Sequence, residues 1–345
     1  MQTYEHFSET VLDAAKKCKD DELFWGKQNN KVIYFAFPLI CITFVCSFYM
    51  QEQKRHTINV GGRLTDFSSP LVMGILNVTP DSFYASSRVQ TEEAIARRAD
   101  QIVAEGGTMI DVGAFSTRPG GQAVSEEEEM ARLRLALGVV RRCQPDAVVS
   151  VDTFRPDVAR MVVEEFGAAI INDVSEGGVA EFGGVRITQD EDGVPAMFLM
   201  VARLRVPYIL MSVRHDIPSM LKAFAAEVQT LHALGVADVI LDPGFGFGKT
   251  LEENYQVMAG LDRLHVLGLP VLVGVSRKSM IYKLLGCDAD ATLNATTALH
   301  AVALMKGADI LRVHDVAEAV EVVKTIQALQ FPNSPKLHTS KLPNS

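Results

Sequence analysis

The sequence predicts an α/β protein of the (β/α)8 TIM-barrel class with an extra N-terminal segment. Eight short apolar runs recur between residues 71 and 315, and a helical pattern follows almost every one of them. Apolar runs bounded by turn residues are typical of buried parallel strands. A doubly wound sheet would show the same periodicity, but eight strand–helix units over about 270 residues fit a barrel better.

The elements can be assigned in order along the chain. Residues 57–65 alternate around Gly61 and Gly62, which predicts a short hairpin covering the barrel floor. The predicted strands are 71–77, 109–113, 147–152, 168–173, 207–211, 238–241, 270–276 and 309–315. Helices are expected over 92–105, 196–204, 219–234 and 316–329, with further helix starts near 125, 156 and 279.

The bulk composition excludes some classes of function. The chain has 345 residues, of which 48% are apolar, so it can bury a large core. Its net charge of -9 argues against nucleic-acid binding, which needs a basic face. The five cysteines form no CxxC pair and have no histidine at metal-binding spacing, so we expect reduced thiols in a cytoplasmic protein.

Residues 1–56 differ from the rest and form an N-terminal extension. Residues 32–50 carry no charge over a length that could span a bilayer. Three interpretations stay open: a membrane anchor, a translated upstream segment before a true start at Met50, or a helix packed on the barrel. The barrel domain is expected over 57–330, and the tail 331–345, which has three prolines, is expected to be disordered.

Polar side chains lie at or just after the predicted strand ends. They are Asn77, Asp111, Asp152, Asn172, Asp242, Lys278, Arg312 and His314. The carboxyl ends of all barrel strands meet at one face, where barrel enzymes build their active sites. A turn-forming role is as good an interpretation for Asp111 or Asp173 alone, but the whole series indicates a site.

The chemistry of these residues divides by charge. Asp152, Asn172 and Asp242 offer acceptors and an amide, which suit a planar ligand with several N–H donors, such as a purine or pterin edge. Lys278, Arg312 and His314 suit a phosphate or pyrophosphate. The residues alone therefore predict an enzyme that handles a nitrogen-rich heterocycle carrying a phosphorylated arm.

The glycine-rich stretch 242–250 is a turn after the sixth strand. It is not a Walker A loop, because the position of the first required glycine holds Pro243. Its G-x-G-x-G spacing also differs from the dinucleotide-binding fingerprint. Its glycines would let the backbone approach a ligand closely, and on its own the stretch fits a purely structural turn equally well.

Seven motifs together resemble dihydropteroate synthase, from about residue 57 to residue 329. They read MGILNVTPDSF at 73–83, STRPG at 116–120, SVD at 150–152, INDV at 171–174, DPGFGFGK at 242–249, SRKS at 276–279 and RVHD at 312–315. The resemblance implies condensation of 6-hydroxymethyl-7,8-dihydropterin pyrophosphate with 4-aminobenzoate, in folate synthesis. It also implies Mg2+ as cofactor, sulfonamides as competitors and a homodimer.

The resemblance assigns a role to each matching position. The implied pterin-binding residues are Asp152, Asn172, Met211, Asp242 and Lys278. The implied pyrophosphate site is Asn77, Arg312 and His314, with Asn77 also holding Mg2+. The implied aminobenzoate site and its loops comprise Asp81, Phe83, Thr117, Arg118, Pro119 and Ser279, together with Lys278. The implied catalytic groups are Asp152, Lys278, Arg312 and His314.

The sequence departs from the family pattern at three places. Phe115 stands where a carboxylate is common, residues 211–215 replace the usual His-Met-x-Gly continuation, and residues 181–193 form an acidic insertion. The segment after the fifth strand also looks shortened.

Two alternative functions follow from these features. A methyltetrahydrofolate–corrinoid methyltransferase would share the acidic pterin-binding residues, but would not need the 276–278 and 312–314 motifs together. A non-catalytic or membrane-tethered pterin-binding relative would be favoured by loss of Asp152, Lys278 or Arg312, and all three are present.

Overall fold

The computed structural model describes residues 56–78, 88–115, 124–178 and 193–330. Several sequence-based expectations lie outside these ranges. They are the apolar stretch 32–50, the tail 331–345, nearly all of the acidic insertion, and the loop residues Asp81, Phe83, Thr117, Arg118 and Pro119. Within the described ranges, no helix combines the length and apolarity needed to cross a membrane.

The described part of the chain is an eight-stranded parallel barrel preceded by a two-stranded hairpin. The strands are β1 Thr57–Val60, β2 Arg63–Asp66, β3 Leu71–Asn77, β4 Met109–Gly113, β5 Val148–Asp152, β6 Ile170–Asp173, β7 Tyr208–Met211, β8 Val239–Asp242, β9 Leu272–Val273 and β10 Ile310–Val313. In the barrel the order is β8-β7-β6-β5-β4-β3-β10-β9. A bridge between Leu241 and Val271 joins β8 to the β9 segment and completes the ring. The predicted barrel is confirmed.

Helices cover the outside of the barrel. They are α1 Arg88–Ala104, α2 Glu126–Cys143, α3 Pro156–Phe166, α4 Ala196–Leu204, α5 Ile217–Ala233, α6 Leu251–Ala259, α7 Ser279–Leu285, α8 Leu293–Met305 and α9 Val316–Gln330. Helix α5 has 17 residues, as many as α1, so the helix after the fifth barrel strand is not short within this chain.

Local signals in the sequence fix where these helices begin and end. The Ser125 hydroxyl accepts the Glu128 N–H and caps α2, which satisfies a backbone donor that the helix leaves unpaired. Thr250 and Glu253 form a capping box at the start of α6. Gly167 ends α3 in the left-handed conformation, with φ of 62°, which glycine adopts without strain.

The interior of the barrel is apolar at its amino-terminal end. Ile58, Val60 and Phe67, in and beside the hairpin, pack against inward-facing residues of the barrel strands. Those strand residues are Met73, Met109, Ile170, Ile209, Ile240, Leu272 and Ile310. The hairpin therefore covers the barrel floor, as predicted. Because strand side chains alternate, the residues two positions further along point into the barrel nearer its carboxyl end.

Candidate active site

Four polar side chains from four barrel strands meet inside the carboxyl end of the barrel. The Arg312 guanidinium donates from Nε to Asp111 Oδ2 at 2.6 Å and from Nη2 to Asp152 Oδ2 at 2.8 Å. Asn172 Nδ2 also donates to Asp111 Oδ2, at 3.1 Å. The residues lie on β10, β4, β5 and β6, so the barrel register brings together positions up to 201 residues apart.

Burial shapes the charge of this group. It raises the pKa of Asp152 to about 7, and the nearby Asp111, Glu129 and Asp173 carboxylates add to the effect while Arg312 opposes it. Burial also disfavours the charge of Arg312, but Asp111 and Asp152 outweigh this and its pKa lies above the ordinary value. Burial thus favours the neutral form of Asp152, whereas its ion pair with Arg312 favours the carboxylate.

Asp242 and Lys278 form a second polar group beside the first. Asp242 Oδ1 accepts the Gly244 N–H at 2.8 Å, and burial raises its pKa while Lys278 counteracts this. Lys278 Nζ donates to the Phe245 carbonyl and lies 4.7 Å from the ring centroid of Phe247. Burial lowers the pKa of Lys278 to about 8, so its ammonium is poised close to physiological pH.

The turn after β8 lies directly against the end of β7. Gly244 has φ of 66°, and a Cβ on it would be 2.2 Å from the Ser212 carbonyl oxygen and 3.1 Å from Met211 Cγ. Only glycine fits such a contact. The close approach expected of this turn is thus to the protein's own backbone, and it seats Met211 beside Asp242.

The remaining described site residues lie around this centre. Arg312 and Lys278 both lie near Gly274, where a Cβ would be 3.7 Å from Arg312 Cβ and 3.9 Å from Lys278 Nζ. The His314 Nδ1 is 3.2 Å from Ser276 Oγ, which also accepts the His314 N–H. Ser279 begins α7, directly after Lys278.

Asn77 ends β3 next to a glycine, Gly113, at the end of β4. A Cβ on Gly113 would lie 3.3 Å from Asn77 Oδ1 and 3.4 Å from Asp152 Cβ. The absence of a side chain on Gly113 thus lets the amide oxygen of Asn77 lie close to β4 and to Asp152. No group of three or more His, Cys, Asp or Glu suited to a metal occurs in the described ranges. Mg2+ needs none, because it commonly binds one or two protein oxygens, several waters and substrate phosphates.

Buried acceptors without a partner point to a ligand. Within the described residues, Asp111 Oδ1, Asn172 Oδ1 and Ser150 Oγ are buried and make no hydrogen bond. Unsatisfied buried polar atoms are costly, so native proteins keep them mostly where another group completes them. Oδ1 of Asp111 and of Asn172 can accept the N–H donors of a planar heterocycle.

The structure adds site residues that the sequence patterns left open. Asp111 holds both Arg312 and Asn172, whereas for Asp111 alone the sequence favoured a turn role equally. Asp173 has the structural role: it accepts Ser175 N–H and Oγ–H, Gly177 N–H and the Tyr208 hydroxyl. The signal that separates them is spacing, because Asp111 lies two residues after the inward-facing Met109.

The chain is similar to known proteins across the whole barrel. Residues 73–314 match the family described as pterin binding enzyme. The chain is 38% identical over 271 residues to a dihydropteroate synthase of Escherichia coli (strain K12), covering 77% of this chain and 94% of that protein. It is 37% identical over 278 residues to one from Streptococcus pyogenes, covering 78% and 98%.

Solved structures agree with these relatives. The Xanthomonas albilineans dihydropteroate synthase with 4-aminobenzoic acid superposes with a TM-score of 0.70 at 35% identity, covering 81% of this chain and 99% of that one. The Yersinia pestis enzyme with a pterine-sulfa conjugate gives a TM-score of 0.66 at 32% identity, covering 81% and 100%.

Proposed function

The chain belongs to the dihydropteroate synthase family of pterin-binding enzymes and is a transferase of folate biosynthesis, and we propose how its residues carry out the reaction. The substrates are 6-hydroxymethyl-7,8-dihydropterin pyrophosphate and 4-aminobenzoate, and the products are 7,8-dihydropteroate and pyrophosphate. The observation that carries the proposal is the buried polar group of Asp111, Asp152, Asn172 and Arg312 beside Asp242 and Lys278.

The pterin is proposed to bind where acceptors converge. Asp152, Asn172 and Asp242 would accept its N–H donors, and Lys278 would donate to its carbonyl or ring nitrogen. Met211 is buried at the end of β7 and would pack on the ring. Because Arg312 already pairs with Asp152, the arriving pterin must share that carboxylate or displace the guanidinium towards the pyrophosphate arm.

The proposed chemistry is dissociative. The bond between the pterin methylene and the pyrophosphate oxygen breaks, and its electron pair leaves with pyrophosphate while the ring delocalises the positive charge. The aminobenzoate nitrogen then forms the new C–N bond and releases a proton. The Asp152 carboxylate faces the cation and stabilises it. Arg312 and His314 hold the departing anion through charge-assisted hydrogen bonds.

Mg2+ is proposed as the cofactor, held by Asn77. The position of Asn77 at the carboxyl end of β3, beside Gly113 and Asp152, supports this, because Mg2+ prefers oxygen ligands and takes others from substrate phosphates and water. When bound, the ion would neutralise charge on the pyrophosphate.

The aminobenzoate is proposed to bind beside Lys278 and Ser279, with the loop residues Asp81, Phe83, Thr117, Arg118 and Pro119 completing its site. Sulfonamides are proposed to compete there. The solved structure of the Yersinia pestis enzyme in a sulfonamide drug complex, at 35% identity, supports this.

A homodimer in the cytoplasm is proposed as the working form. Exposed apolar side chains on consecutive helices α7 and α8 support a subunit contact, because such clusters mark interaction surfaces. They are Leu284, Leu285, Leu293, Val302 and Met305. The acidic composition and the absence of CxxC pairs support the compartment.

The first experiment measures pyrophosphate release by a protein beginning at Met50, given the dihydropterin pyrophosphate and Mg2+. Release should require 4-aminobenzoate as well as the pterin. A folded protein that binds the pterin and releases no pyrophosphate would contradict the proposal and favour the non-catalytic relative.

A further inference from the structure

A buried hydrogen-bonded chain joins the loops that follow β6, β7 and β8. Its central members are Glu176, Ser212 and Lys249, which we call the Ser212 clamp. All three are buried, with relative exposures of 1%, 0% and 8%. None of them belongs to the substrate-binding set proposed above.

Glu176 holds the β7 end from one side. Its carboxylate accepts the Ser212 hydroxyl at 3.1 Å, the Val213 N–H at 2.5 Å and Arg214 Nε at 2.7 Å. Glu176 also has φ of 55°, a left-handed conformation that a residue with a Cβ adopts at some cost. A buried carboxylate in a strained backbone persists where its hydrogen bonds over-determine the position.

Lys249 holds the same residue from the other side. Its ammonium donates to the Ser212 carbonyl at 3.2 Å and to the Gly244 carbonyl at 2.8 Å. Burial lowers the pKa of Lys249 to about 8, while Asp242 and Glu176 counteract this. Two opposite buried charges thus flank one serine.

The chain of contacts ends on two proposed pterin residues. Met211 directly precedes Ser212, and Gly244 donates its N–H to Asp242 Oδ1 at 2.8 Å. Displacing the Ser212 carbonyl would therefore move the turn that aims Asp242. Ser212, the residue held by the clamp, lies in the 211–215 segment, where the sequence departs from the family pattern.

We propose that Glu176 and Lys249 are positioning residues, which clamp Ser212 between them and so set the spacing of Met211 and Asp242 in the pterin pocket. The inference rests on the proposed function of that pocket. The buried charges of Glu176 and Lys249 then determine pterin affinity as well as folding.

The test compares Glu176→Gln, Lys249→Met and the double variant with a matched control. Asp309→Asn is the control, because Asp309 is a half-buried carboxylic acid that accepts the Val271 N–H at 2.8 Å at the amino-terminal end of β10. The measurements are calorimetric binding of the dihydropterin pyrophosphate, KM for each substrate, and Tm.

Each single clamp variant should weaken pterin binding about tenfold, the scale of a lost charge-assisted hydrogen bond. The KM for 4-aminobenzoate should stay within about twofold, and the double variant should lose less than the product of the two effects, because the residues share one network. Asp309→Asn should leave pterin affinity unchanged, because Asp309 lies at the amino-terminal end of the barrel, away from the pterin pocket. Equal pterin affinity in the clamp variants and the control would overturn the proposal.

Two further measurements test the clamp without Lys249→Met and without turnover. Ser212→Ala is used if Lys249→Met does not fold. It removes one hydroxyl and should weaken pterin binding by a smaller factor than the other clamp variants do. Hydrogen exchange at the Val213 amide should accelerate in Glu176→Gln and not in Asp309→Asn; unchanged exchange would contradict the clamp. This readout needs no turnover, so a wild type that fails to release pyrophosphate would refute the proposed function without deciding the clamp.

Discussion

Three aspartates at the carboxyl end of the barrel differ in how far the protein satisfies them. Asp173 accepts bonds on both oxygens from its own turn and from Tyr208, so its capacity is used within the fold. Asp111 and Asp152 are bound through Oδ2 to the guanidinium of Arg312, and Asp111 Oδ1 has no partner among the described residues. Incomplete satisfaction distinguishes a binding carboxylate from a structural one.

Lys278 should produce a basic limb in the pH profile of the enzyme. Burial lowers its pKa to about 8, so the free enzyme loses this ammonium as pH rises through that value. We expect kcat/KM for the pterin pyrophosphate to fall above about pH 8, because a neutral amine holds the substrate less strongly. Lys278→Arg, whose guanidinium stays charged, should move this limb of the pH profile to higher pH.

A second lysine, Lys249, would give a limb at the same pH. Burial lowers the pKa of Lys249 to about 8 as well. A limb that stays near pH 8 in Lys278→Arg would therefore contradict the role given to Lys278 and assign the limb to Lys249.

The geometry of the site depends on the spacing between the ends of neighbouring strands, here β7 and β8. The turn after β8 reaches β7 through Gly244, and its last part leads through Lys249 into the capping box of α6. The same turn contains Gly248, which shares φ of 66° with Gly244 but has open space where a Cβ would stand. Substitutions at the two glycines therefore distinguish the effect of backbone strain, which both share, from the effect of steric contact, which only Gly244 has.

We predict that Gly244→Ala weakens pterin binding by more than tenfold, whereas Gly248→Ala costs only about 1 kcal/mol of unfolding free energy. The added methyl at 244 would meet the Ser212 carbonyl at 2.2 Å, so Asp242 or β7 must shift. Denaturant unfolding and pterin calorimetry on both variants check this. Similar pterin affinities in the two would show that the contact is not needed for binding.

Much of the architecture was predictable because each strand carries its own signal. Every barrel strand contains buried apolar residues, and β1 of the hairpin alternates, so eight units and a floor could be inferred from periodicity. The pairing of Arg312 with Asp111 could not, since it depends on the register between strands 201 residues apart. Glu176 was missed because nothing in the pattern marks its left-handed backbone.

A buried histidine makes the free energy of unfolding of the whole molecule depend on pH. His300 on α8 is buried, and its Nε2 has no partner among the described residues. Burial lowers its pKa to about 4, with a smaller opposing effect from Asp315. The unfolded chain binds a proton at this residue near pH 6.5, so its stabilising share is present above pH 6.5 and is lost as pH falls towards 4.

We predict that His300→Leu reduces the acid sensitivity of the fold. Between pH 6.5 and 4, the wild type should lose up to about 1.4 kcal/mol of unfolding free energy per pH unit relative to the variant. Burial raises the pKa of Asp152 and of Asp309 to about 7, which acts in the opposite direction, so only the difference between the two proteins isolates His300. Parallel stability curves over this window would refute the assignment.

The position of the hairpin determines where the protein can be attached to a support or to another protein. The hairpin lies at the amino-terminal end of the barrel, and Gln327, near the end of α9, donates to the hydroxyl of Ser69 just before β3. The described barrel segment thus begins, at residue 56, and ends, at residue 330, on the side away from Asp152 and Lys278. A barrel tethered to a bead or fused to another protein at residue 56 or at residue 330 would present its active site to the solution.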